Sequence, residues 1–418
     1  MKIGLLGKGT ASAISLLVIL ENIISQRVCK QPANEITITC IHDPNIPIVQ
    51  VGETTTPKVL VLLNYVLDFS VLNELSAFDG TFRYSNKLFW EKANGNKFEI
   101  DHPWPGLHVN SQKFGDFVFN KAIKMYPNTV RMEEDHASQL ITHGTGVTVI
   151  GNTKTYDFDY VIDCRGTPTA DDFASGEYLY PEIETMNSVI LFPQFKEFNE
   201  MYTTAKVHEN GWMFGVPLSH RKAWGYCYNK DITTREQAEQ GFKDLYPEVE
   251  LDQCKHLSWR QYYKKTAVDG RVLYLGNKLY FFEPIQAIPL HFYSMLTDSF
   301  CSLIFNHDDV TKLNQLYTQK IVSIQALIAL NYIGENKLDT PFWNTIQKSC
   351  KQTLKNNQEF MAWAKKYRTV QDTVNNDPAI LNKHKVFVED SSIIFGLHNY
   401  SVMKSYIEGY KINMEEFV

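Results

Sequence analysis

A glycine-containing segment near the N-terminus, Gly7–Ser12, has the residue types and spacing of a phosphate-binding turn. It follows a short apolar run and precedes a stretch with helical apolar spacing. Gly7 allows the sharp turn, and Gly9 lets the backbone approach a pyrophosphate at the helix N-terminus, beside Thr10 and Ala11. The third position of the G-x-G-x-x-G pattern is serine instead of glycine or alanine, which makes the match weaker. The segment predicts a dinucleotide-binding turn.

A second segment of the same kind lies far along the chain. The apolar run Val272–Leu275 ends at Gly276, and helix-like spacing begins near His291. A buried strand, a turn and a helix N-terminus offer backbone donors to an anionic or ribose-like ligand. Together, the turns at Gly7–Ser12 and at Gly276–Asn277 predict a flavoprotein fold whose chain passes the cofactor twice.

A dinucleotide fold also needs an acidic residue at the end of its second strand, where the carboxylate holds ribose hydroxyls. The alternating run Glu35–His42 predicts that strand. Depending on one residue of register, His42 or Asp43 takes the end position, and Asp43 is the residue we expect to bind. The alternative is that Asp43 and Pro44 only form a turn.

The segment Val51–Pro57 combines a glycine, a carboxylate and three threonines ahead of a helical pattern. Thr56 is placed to cap that helix, with Pro57 at its first position. A capped helix start and a ligand-contacting loop both remain open. In the second case, the residues expected to contact the cofactor are Val51, Gly52, Glu53 and Thr54.

A strand predicted at Gly80–Trp90 carries basic side chains among aromatic ones. Strict strand alternation puts Arg83, Ser85 and Lys87 on one face. A lysine partly desolvated by aromatic neighbours has a lowered pKa, which makes its amine chemically useful. The alternative is an ordinary surface lysine.

Composition excludes several classes of protein. The chain has 418 residues, 44% of them hydrophobic, and a net charge of −6, which argues against a nucleic-acid-binding surface. No apolar run approaches the ~20 residues that cross a bilayer. Seven scattered cysteines without a CxxC pair indicate neither a disulfide framework nor a metal site. We expect a cytoplasmic protein that binds no membrane, and homo-oligomerisation stays open.

Taken in order, the motifs resemble those of the flavin-dependent halogenases of the tryptophan-halogenase type. Gly7–Ala11 resembles the GGGTAG opening of that family, Val51–Pro57 its VGEATIP segment, and Gly80–Arg83 the GxFK segment that carries its catalytic lysine. Further matches follow in the same order: Val161–Gly166 with IDASG, Gly211–Leu218 with GWxWxIPL, Gly276–Pro284 with GDAxxFxEP, and Asn331–Trp343 with HYxxxxRxDTPFW. The resemblance covers residues 1 to about 350.

The first departure from the family concerns a basic residue. Arg83 stands where the family has lysine, and Lys87 lies four residues further along the chain. An arginine cannot easily form a haloamine because its pKa stays above ~12. Since positions i and i+4 of a regular strand share a face, we expect Lys87 to be the catalytic residue, with Arg83 as the alternative.

Other departures lie along the expected substrate passage. Phe214 replaces the second tryptophan of the signature, and Asn277 replaces an aspartate used toward the flavin. By resemblance, the residues lining the substrate site and its tunnel are Trp212, Phe214, Pro217, Phe282, Glu283, Pro284 and Gln286.

The halide site of the family also differs here. Gln286 and Ala287 replace Glu and Ser beside the substrate, while Ile288 and Pro289 replace Thr-Gly, whose backbone N–H groups hold the halide. Ala287 and Ile288 are therefore the expected halide contacts, with one donor lost because proline has no N–H. Tryptophan is not expected as the substrate.

The resemblance implies that FAD, delivered as FADH2 by a separate flavin reductase, uses O2 to oxidise chloride, bromide or iodide to hypohalous acid. That acid would pass along a tunnel to the basic residue and halogenate a small electron-rich aromatic substrate. Competing interpretations are a flavin monooxygenase or oxidase on the same scaffold, and a non-catalytic flavin-binding relic.

The expected fold is α/β: an FAD-binding Rossmann-like, monooxygenase-like part of the two-dinucleotide-binding type, a β-sheet substrate domain and a helical C-terminal part. The FAD-binding domain is expected at residues 1–75, 105–175 and 265–300. The substrate-side sheet is expected at 76–104 and 176–264, and the helical C-terminal region at 301–418.

Overall fold

The structure is a computed structural model that describes residues 1–26, 29, 35–46, 52–91, 97–285, 288–334, 338–376 and 400–417. Its α-helices are α1 Thr10–Ser25, α2 Pro57–Leu67, α3 Val71–Glu74, α4 Ser111–Met125, α5 Ala170–Ala174, α6 Arg235–Leu245, α7 Ile288–Asn306, α8 Val310–Leu330, α9 Pro341–Asn356, α10 Gln358–Asn376 and α11 Tyr400–Gly409. Short 3-10 helices span Leu75–Phe78, Leu251–Gln253, Gly276–Lys278 and Met414–Phe417.

The strands form four sheets. In chain order they are β1 Lys2–Leu6, β2 Thr37–His42, β3 Gly52–Thr54, β4 Thr81–Glu91, β5 Lys97–Asn110, β6 Val130–Glu134, β7 Ala137–His143, β8 Gly146–Gly151, β9 Thr155–Phe158, β10 Tyr160–Asp163, β11 Tyr178–Leu179, β12 Ser188–Gln194, β13 Tyr202–His208, β14 Gly211–Pro217, β15 Lys222–Tyr228, β16 Lys255–Ser258, β17 Tyr262–Lys264, β18 Val268–Asp269, β19 Val272–Tyr274 and β20 Tyr280–Phe281.

The first sheet is the predicted dinucleotide-type sheet. Its strand order is β18-β19-β10-β1-β2-β6, and the strands from β19 to β6 are parallel. Leu5 of β1 lies between Ile162 of β10 and Cys40 of β2. These strands are apolar along most of their length because helices such as α1 cover one face and the β7-β8-β9 meander covers part of the other. The α/β class expected from the sequence is confirmed.

The second sheet has eight strands in the order β16-β12-β15-β14-β13-β4-β5-β3. Alternate residues of its central strands enter two different cores. Leu88 and Trp212 pack in the main core of the molecule, which we call the inner face. Trp224 and Phe192 pack against α6 in a separate core, which we call the outer face. A one-residue change of register would therefore exchange the two sets of side chains.

Strand β4 contains a β-bulge that breaks this alternation. The backbone N–H groups of Tyr84 and Ser85 both donate to the carbonyl oxygen of Met201, at 2.7 and 3.3 Å. Two successive donors on one acceptor leave the flanking residues three apart on the same side of the sheet. In agreement, Arg83 Nη1 donates to Asn86 Oδ1 at 2.6 Å. The residues before and after the bulge therefore no longer alternate as one strand.

The C-terminal helices pack against the inner face of the second sheet. Trp343 of α9 donates its indole N–H to the carbonyl of His208 at 2.8 Å, and its ring lies 5.7 Å from that of Tyr332. Thr340 caps α9 and Pro341 occupies its first turn, as the sequence pattern of a helix start indicates. The helical C-terminal part is thus attached to the sheet through buried aromatic residues.

Within the described ranges, no single helix combines the length and apolarity needed to cross a bilayer. Helix α2 and the adjoining helical segment Val71–Phe78, which meet at 93°, satisfy that test together, by length and composition only.

Candidate functional site

The turn between β1 and α1 forms an open cradle at the helix N-terminus. Gly7 has a φ of +92° and donates its N–H to the carbonyl of Ile41 at 2.8 Å. Gly9 occupies the N-cap position without a side-chain cap. A Cβ atom at Gly9 would meet no other atom within 4 Å. There is therefore open space beside Gly9, at a helix N-terminus whose first-turn N–H groups have no acceptor within the helix.

The turn at Gly276 lies directly against this cradle. Gly276 has a φ of +62°, and a Cβ there would come within 3.3 Å of the Cβ of Ala11. The convergence of the two distant turns is what the sequence predicted. The local path differs from the prediction, because Gly276 opens a 3-10 helix followed by β20, and α7 begins only at Ile288. Asn277 is exposed, and its carbonyl accepts the hydroxyl of Tyr262 at 2.7 Å.

Several buried polar atoms near the cradle have no hydrogen-bond partner in the described part of the chain. Among them are Ser12 Oγ, Glu53 Oε2 and Thr56 Oγ1. Thr56 takes the predicted N-cap position of α2, yet its hydroxyl caps nothing. Burial raises the pKa of Glu53, although hydrogen bonding with the hydroxyls of Thr10 and Ser111 lowers it in part. Since buried polar atoms without partners are costly, these atoms indicate a polar ligand that carries hydrogen-bonding groups such as hydroxyls.

The rest of the Val51–Pro57 segment is placed by the second sheet. Strand β3 pairs with β5, with Glu53 opposite Val109 and Thr54 opposite His108. The hydroxyl of Thr54 lies 3.2 Å from that of Thr203. Gly52 packs against Val216, because a Cβ at Gly52 would come within 2.9 Å of that side chain. Val51 itself lies outside the described residues.

Strand β2 ends at His42, so His42 takes the end position and Asp43 lies in the turn beyond it. Asp43 Oδ1 accepts the N–H of Asn45 at 2.8 Å, and Asp43 Oδ2 lies 3.0 Å from His136 Nδ1. The hydrogen bond from the Asn45 backbone is the main cause that lowers the pKa of Asp43. These contacts are those of a turn, which was the alternative interpretation of Asp43 and Pro44.

The structure separates Arg83 from Lys87. Arg83 lies on the inner face, fully buried, and donates to Asn86 and to the carbonyl of Thr55, the latter at 2.7 Å. Lys87 instead lies on the outer face, with its ammonium 4.9 Å from the ring centre of Tyr202. The expectation that both residues share one face is not met, because the bulge at Tyr84 and Ser85 changes the alternation.

Arg83 is a buried cation without a carboxylate partner among the described residues. Its Nε atom is buried and unpartnered, and burial lowers its pKa to about 9. His108 lies beside it, with Nδ1 2.9 Å from the Thr81 hydroxyl and Nε2 2.9 Å from the Thr203 hydroxyl. Burial, assisted by Arg83 and Lys222, holds the pKa of His108 well below its usual value. No sequence motif had pointed to this neutral histidine.

A second buried cation, Lys222, was also missed from the sequence. Its ammonium pairs with Glu200, lies 3.4 Å from the Thr204 hydroxyl and sits 4.3 Å from the ring centre of Trp224. Burial lowers its pKa, and the hydrogen bond with Glu200 opposes that effect. The ring of Tyr202 lies within 5.9 Å of this ammonium as well. Lys222 and Lys87 thus belong to one group of side chains on the outer face.

A hydrogen-bonded chain connects the predicted tunnel residues Trp212 and Glu283. The indole N–H of Trp212 donates to the Tyr332 hydroxyl at 3.0 Å, and that hydroxyl donates to both carboxylate oxygens of Glu283, at 2.8 and 2.9 Å. Thr185 donates a further hydrogen bond to Glu283. Burial raises the pKa of Glu283 to about 7, an effect that these donors only partly offset. The sequence pointed to Trp212 and Glu283 but not to Tyr332 or Thr185.

The remaining predicted tunnel residues lie at different depths. Phe214 is half-buried over Gly225, with its ring 6.2 Å from that of Trp212. The Pro217 carbonyl accepts the Thr81 hydroxyl at 2.8 Å. Phe282 is buried against Tyr280 and Tyr263, and Pro284 is exposed.

Only some of the expected halide and substrate residues at positions 286–289 lie within the described ranges. Gln286 and Ala287 lie outside the described residues. Ile288 is the first residue of α7, which places Pro289 in the first turn of that helix. Since proline has no N–H, this turn offers one fewer backbone donor than an ordinary helix start.

Comparison with known proteins identifies the family. The family described as tryptophan halogenase matches residues 99–400 of the chain. The tryptophan 6-halogenase ThaL of Streptomyces albogriseolus is 22% identical over 251 residues, which cover 56% of this chain and 47% of that protein. The tryptophan 7-halogenase RebH of Lentzea aerocolonigenes is 22% identical over 270 residues, or 60% and 49% of the two chains. The chain therefore spans about half the length of these curated relatives.

Solved structures show the same fold. A tryptophan halogenase from Shewanella frigidimarina superposes with a TM-score of 0.79 at 17% identity, covering 99% of this chain and 89% of that one. MibH, a lathipeptide tryptophan 5-halogenase, superposes with a TM-score of 0.74 at 14% identity, covering 100% and 88%. The sheet order, the converging turns and the match to residues 99–400 agree with one another, and the chain belongs to the tryptophan halogenase family.

Proposed function

We propose that the protein is a flavin-dependent halogenase that acts on a small electron-rich aromatic substrate. The observation that carries this proposal is the contact between Gly276 and Ala11 at the open N-terminus of α1. It brings together two glycine turns of the family pattern, and the space between them suits a nucleotide cofactor.

FAD fits the residues that surround this space. The backbone at Gly7, Gly9, Thr10 and Ala11 would hold its pyrophosphate. The second turn, at Gly276 and Asn277, and the segment Gly52, Glu53 and Thr54 would border the remainder, with the unpartnered oxygen of Glu53 available as an acceptor. When bound in reduced form, the cofactor supplies the chemistry that turns O2 and a halide ion into hypohalous acid.

Arg83 is the better candidate than Lys87 for the basic residue that receives the hypohalous acid. It lies on the inner face, the same face as Trp212, and contacts Thr55 of the segment that follows Glu53. With a pKa lowered to about 9, its guanidinium remains mainly protonated at neutral pH and acts as a hydrogen-bond donor. This role requires its packing against Gly106 and Thr55 to loosen when a substrate binds, since Arg83 is fully buried.

The chain's own residues also shape the two ends of the passage. Trp212, fixed through Tyr332 and Glu283, would form a rigid wall that keeps the cofactor apart from the substrate. Ala287 and Ile288 remain the proposed halide contacts. Gln286, Phe282 and Pro284 remain proposed contacts on the substrate side, where a neutral amide in place of a carboxylate disfavours tryptophan.

Further proposals follow from family membership. A separate flavin reductase would supply FADH2. The division into an FAD-binding part, a substrate-side sheet and a helical C-terminal region, with the boundaries given above, stays a proposal as well.

The test is a reaction with a flavin reductase, NADH and FAD, in which a panel of phenols, indoles and pyrroles is exposed to chloride, bromide or iodide. Mass spectrometry should detect a halogen-for-hydrogen exchange on at least one substrate. A halide-free reaction is the control. An oxygen atom gained without halide would instead indicate a monooxygenase, and no reductase-dependent product under any halide would indicate a non-catalytic flavoprotein.

Matched variants then distinguish the two basic residues. Arg83→Met should abolish halogenation while FAD binding persists, and Arg83→Lys should retain it because lysine is the family residue at this position. Lys87→Met should retain activity, since its ammonium lies on the outer face. Loss of activity in Lys87→Met with full activity in Arg83→Met would return the catalytic role to Lys87.

A further inference from the structure

The last residue of β2 presents an unexplained polar side chain to the cofactor cradle. His42 is 7% exposed, and its Nε2 atom is buried without a hydrogen-bond partner in the described part of the chain. A buried imidazole nitrogen without a partner is costly unless a ligand supplies one.

Strand alternation shows which way His42 faces. Cys40, two residues earlier on β2, lies on the α1 side of the sheet, where its Sγ is 3.5 Å from the carbonyl of Gly7. Ile41 faces the opposite side and packs with Val147 and Phe158 of the meander. Because side chains alternate with a period of two, His42 shares the side of Cys40 and of the Gly7 turn.

The Asp43 carboxylate already has partners of its own, beyond the end of β2. In the turn that follows β2, this carboxylate accepts the N–H of Asn45 and lies 3.0 Å from His136 Nδ1. Near His42, Lys8 pairs with Asp116 of α4 at 2.7 Å. The position that holds a ribose-binding carboxylate in many dinucleotide folds is thus taken here by a histidine.

We propose that the His42 imidazole hydrogen-bonds a ribose hydroxyl of the adenosine half of FAD, in place of that carboxylate. A ribose hydroxyl both donates and accepts, so it pairs with either tautomer of a neutral imidazole. Neutrality agrees with the surroundings, because burial and the charge of Lys8 both lower the pKa of His42. This inference rests on flavin binding, which is one part of the proposed function.

The test measures binding of FAD, ADP and FMN to the purified full-length chain, by flavin fluorescence and by calorimetry. His42→Phe keeps a ring but removes both nitrogens, and His42→Gln keeps a hydrogen-bonding group. His143→Phe, at an exposed position at the end of β7, is the control. Since no described protein atom bonds Nε2, His42→Phe should fold, which circular dichroism checks.

For His42→Phe we expect FAD and ADP to bind about tenfold more weakly, equivalent to the loss of ~1.4 kcal/mol. FMN, which has no adenosine, should bind as in the wild type, and His42→Gln should recover part of the loss. Unchanged FAD binding in His42→Phe, or an equal loss for FMN, would overturn the proposal. So would a loss of ADP binding in Asp43→Asn with none in His42→Phe.

The outcome is independent of halogenation. If the wild type binds FAD and His42→Phe weakens ADP binding, this inference is supported even when no substrate is halogenated. The absence of halogenation would then count only against the proposed function. A wild-type chain that binds neither FAD nor ADP refutes both.

Discussion

Replacing Glu283 by glutamine should change how the stability of the protein depends on pH. The carboxyl group is 4% exposed and accepts hydrogen bonds from Tyr332 and Thr185, with no basic partner among the described residues. Burial raises its pKa from 4.5 to about 7. The folded chain therefore holds a proton on Glu283 at pH values where the unfolded chain has released it.

The direction and size of the effect follow from linkage between proton binding and folding. A pKa raised by folding contributes stability that is fully present below the unfolded value near 4.5 and is lost as pH rises through about 7. Because one pKa unit corresponds to ~1.4 kcal/mol, the wild type should lose about 3 kcal/mol from this group across that range. Glutamine, a neutral isostere of the protonated acid, should lose none.

The assay is urea unfolding of the wild type and Glu283→Gln at several pH values between 4.5 and 8.5, with Glu182→Gln as an exposed control. We expect the variant and the wild type to be similar near pH 4.5 and the variant to gain relative stability up to about pH 7, with a constant difference above. A difference that does not change with pH would refute the reasoning. So would a variant that becomes relatively less stable as pH rises, because that would mean a lowered pKa for Glu283.

Two further predictions use matched pairs of variants. Gly9→Ala should leave the melting temperature nearly unchanged and weaken FAD binding, since its Cβ enters the open cradle. Gly115→Ala should instead destabilise the fold, because its Cβ would lie 2.2 Å from the Lys8 carbonyl oxygen. Thermal melts and FAD titrations of both variants test this, and equal melting temperatures would contradict the prediction for Gly115→Ala. Lys222→Met should cost less stability than Glu200→Gln, because the first removes a buried charge and the second leaves the ammonium without its counterion; urea unfolding in the opposite order would contradict this.

The sequence predicted the elements that depend on local patterns. Strand β1, helix α1 and the start of α2 at Pro57 follow from apolar periodicity and from glycine or proline at the ends. The convergence of the turns at Gly7–Ser12 and Gly276–Asn277 was also predicted, and both turns lie at carboxyl ends of strands in one parallel sheet. These features depend on the residue types at a few consecutive positions, so a single sequence is sufficient to predict them.

What the sequence could not predict depends on exact register. The bulge at Tyr84 and Ser85 arises from pairing with Met201, more than a hundred residues away, and nothing local marks it. It decides the faces of Arg83 and Lys87. Similarly, only the pairing of β2 with its neighbours defines the strand alternation that puts His42 on the side of the Gly7 turn.

The strand order of the first sheet determines when this protein can complete its folding. β1 pairs with β10, and β10 pairs with β19, so the strands that build the cradle come from residues 2–6, 160–163 and 272–274 of the chain. During synthesis, β10 keeps one unpaired edge until the ribosome has released the segment around Val272. Contacts of such long sequence separation form slowly and leave intermediates prone to aggregation. Expression of soluble protein should therefore increase when chaperones shield this edge until β19 is available to pair with it.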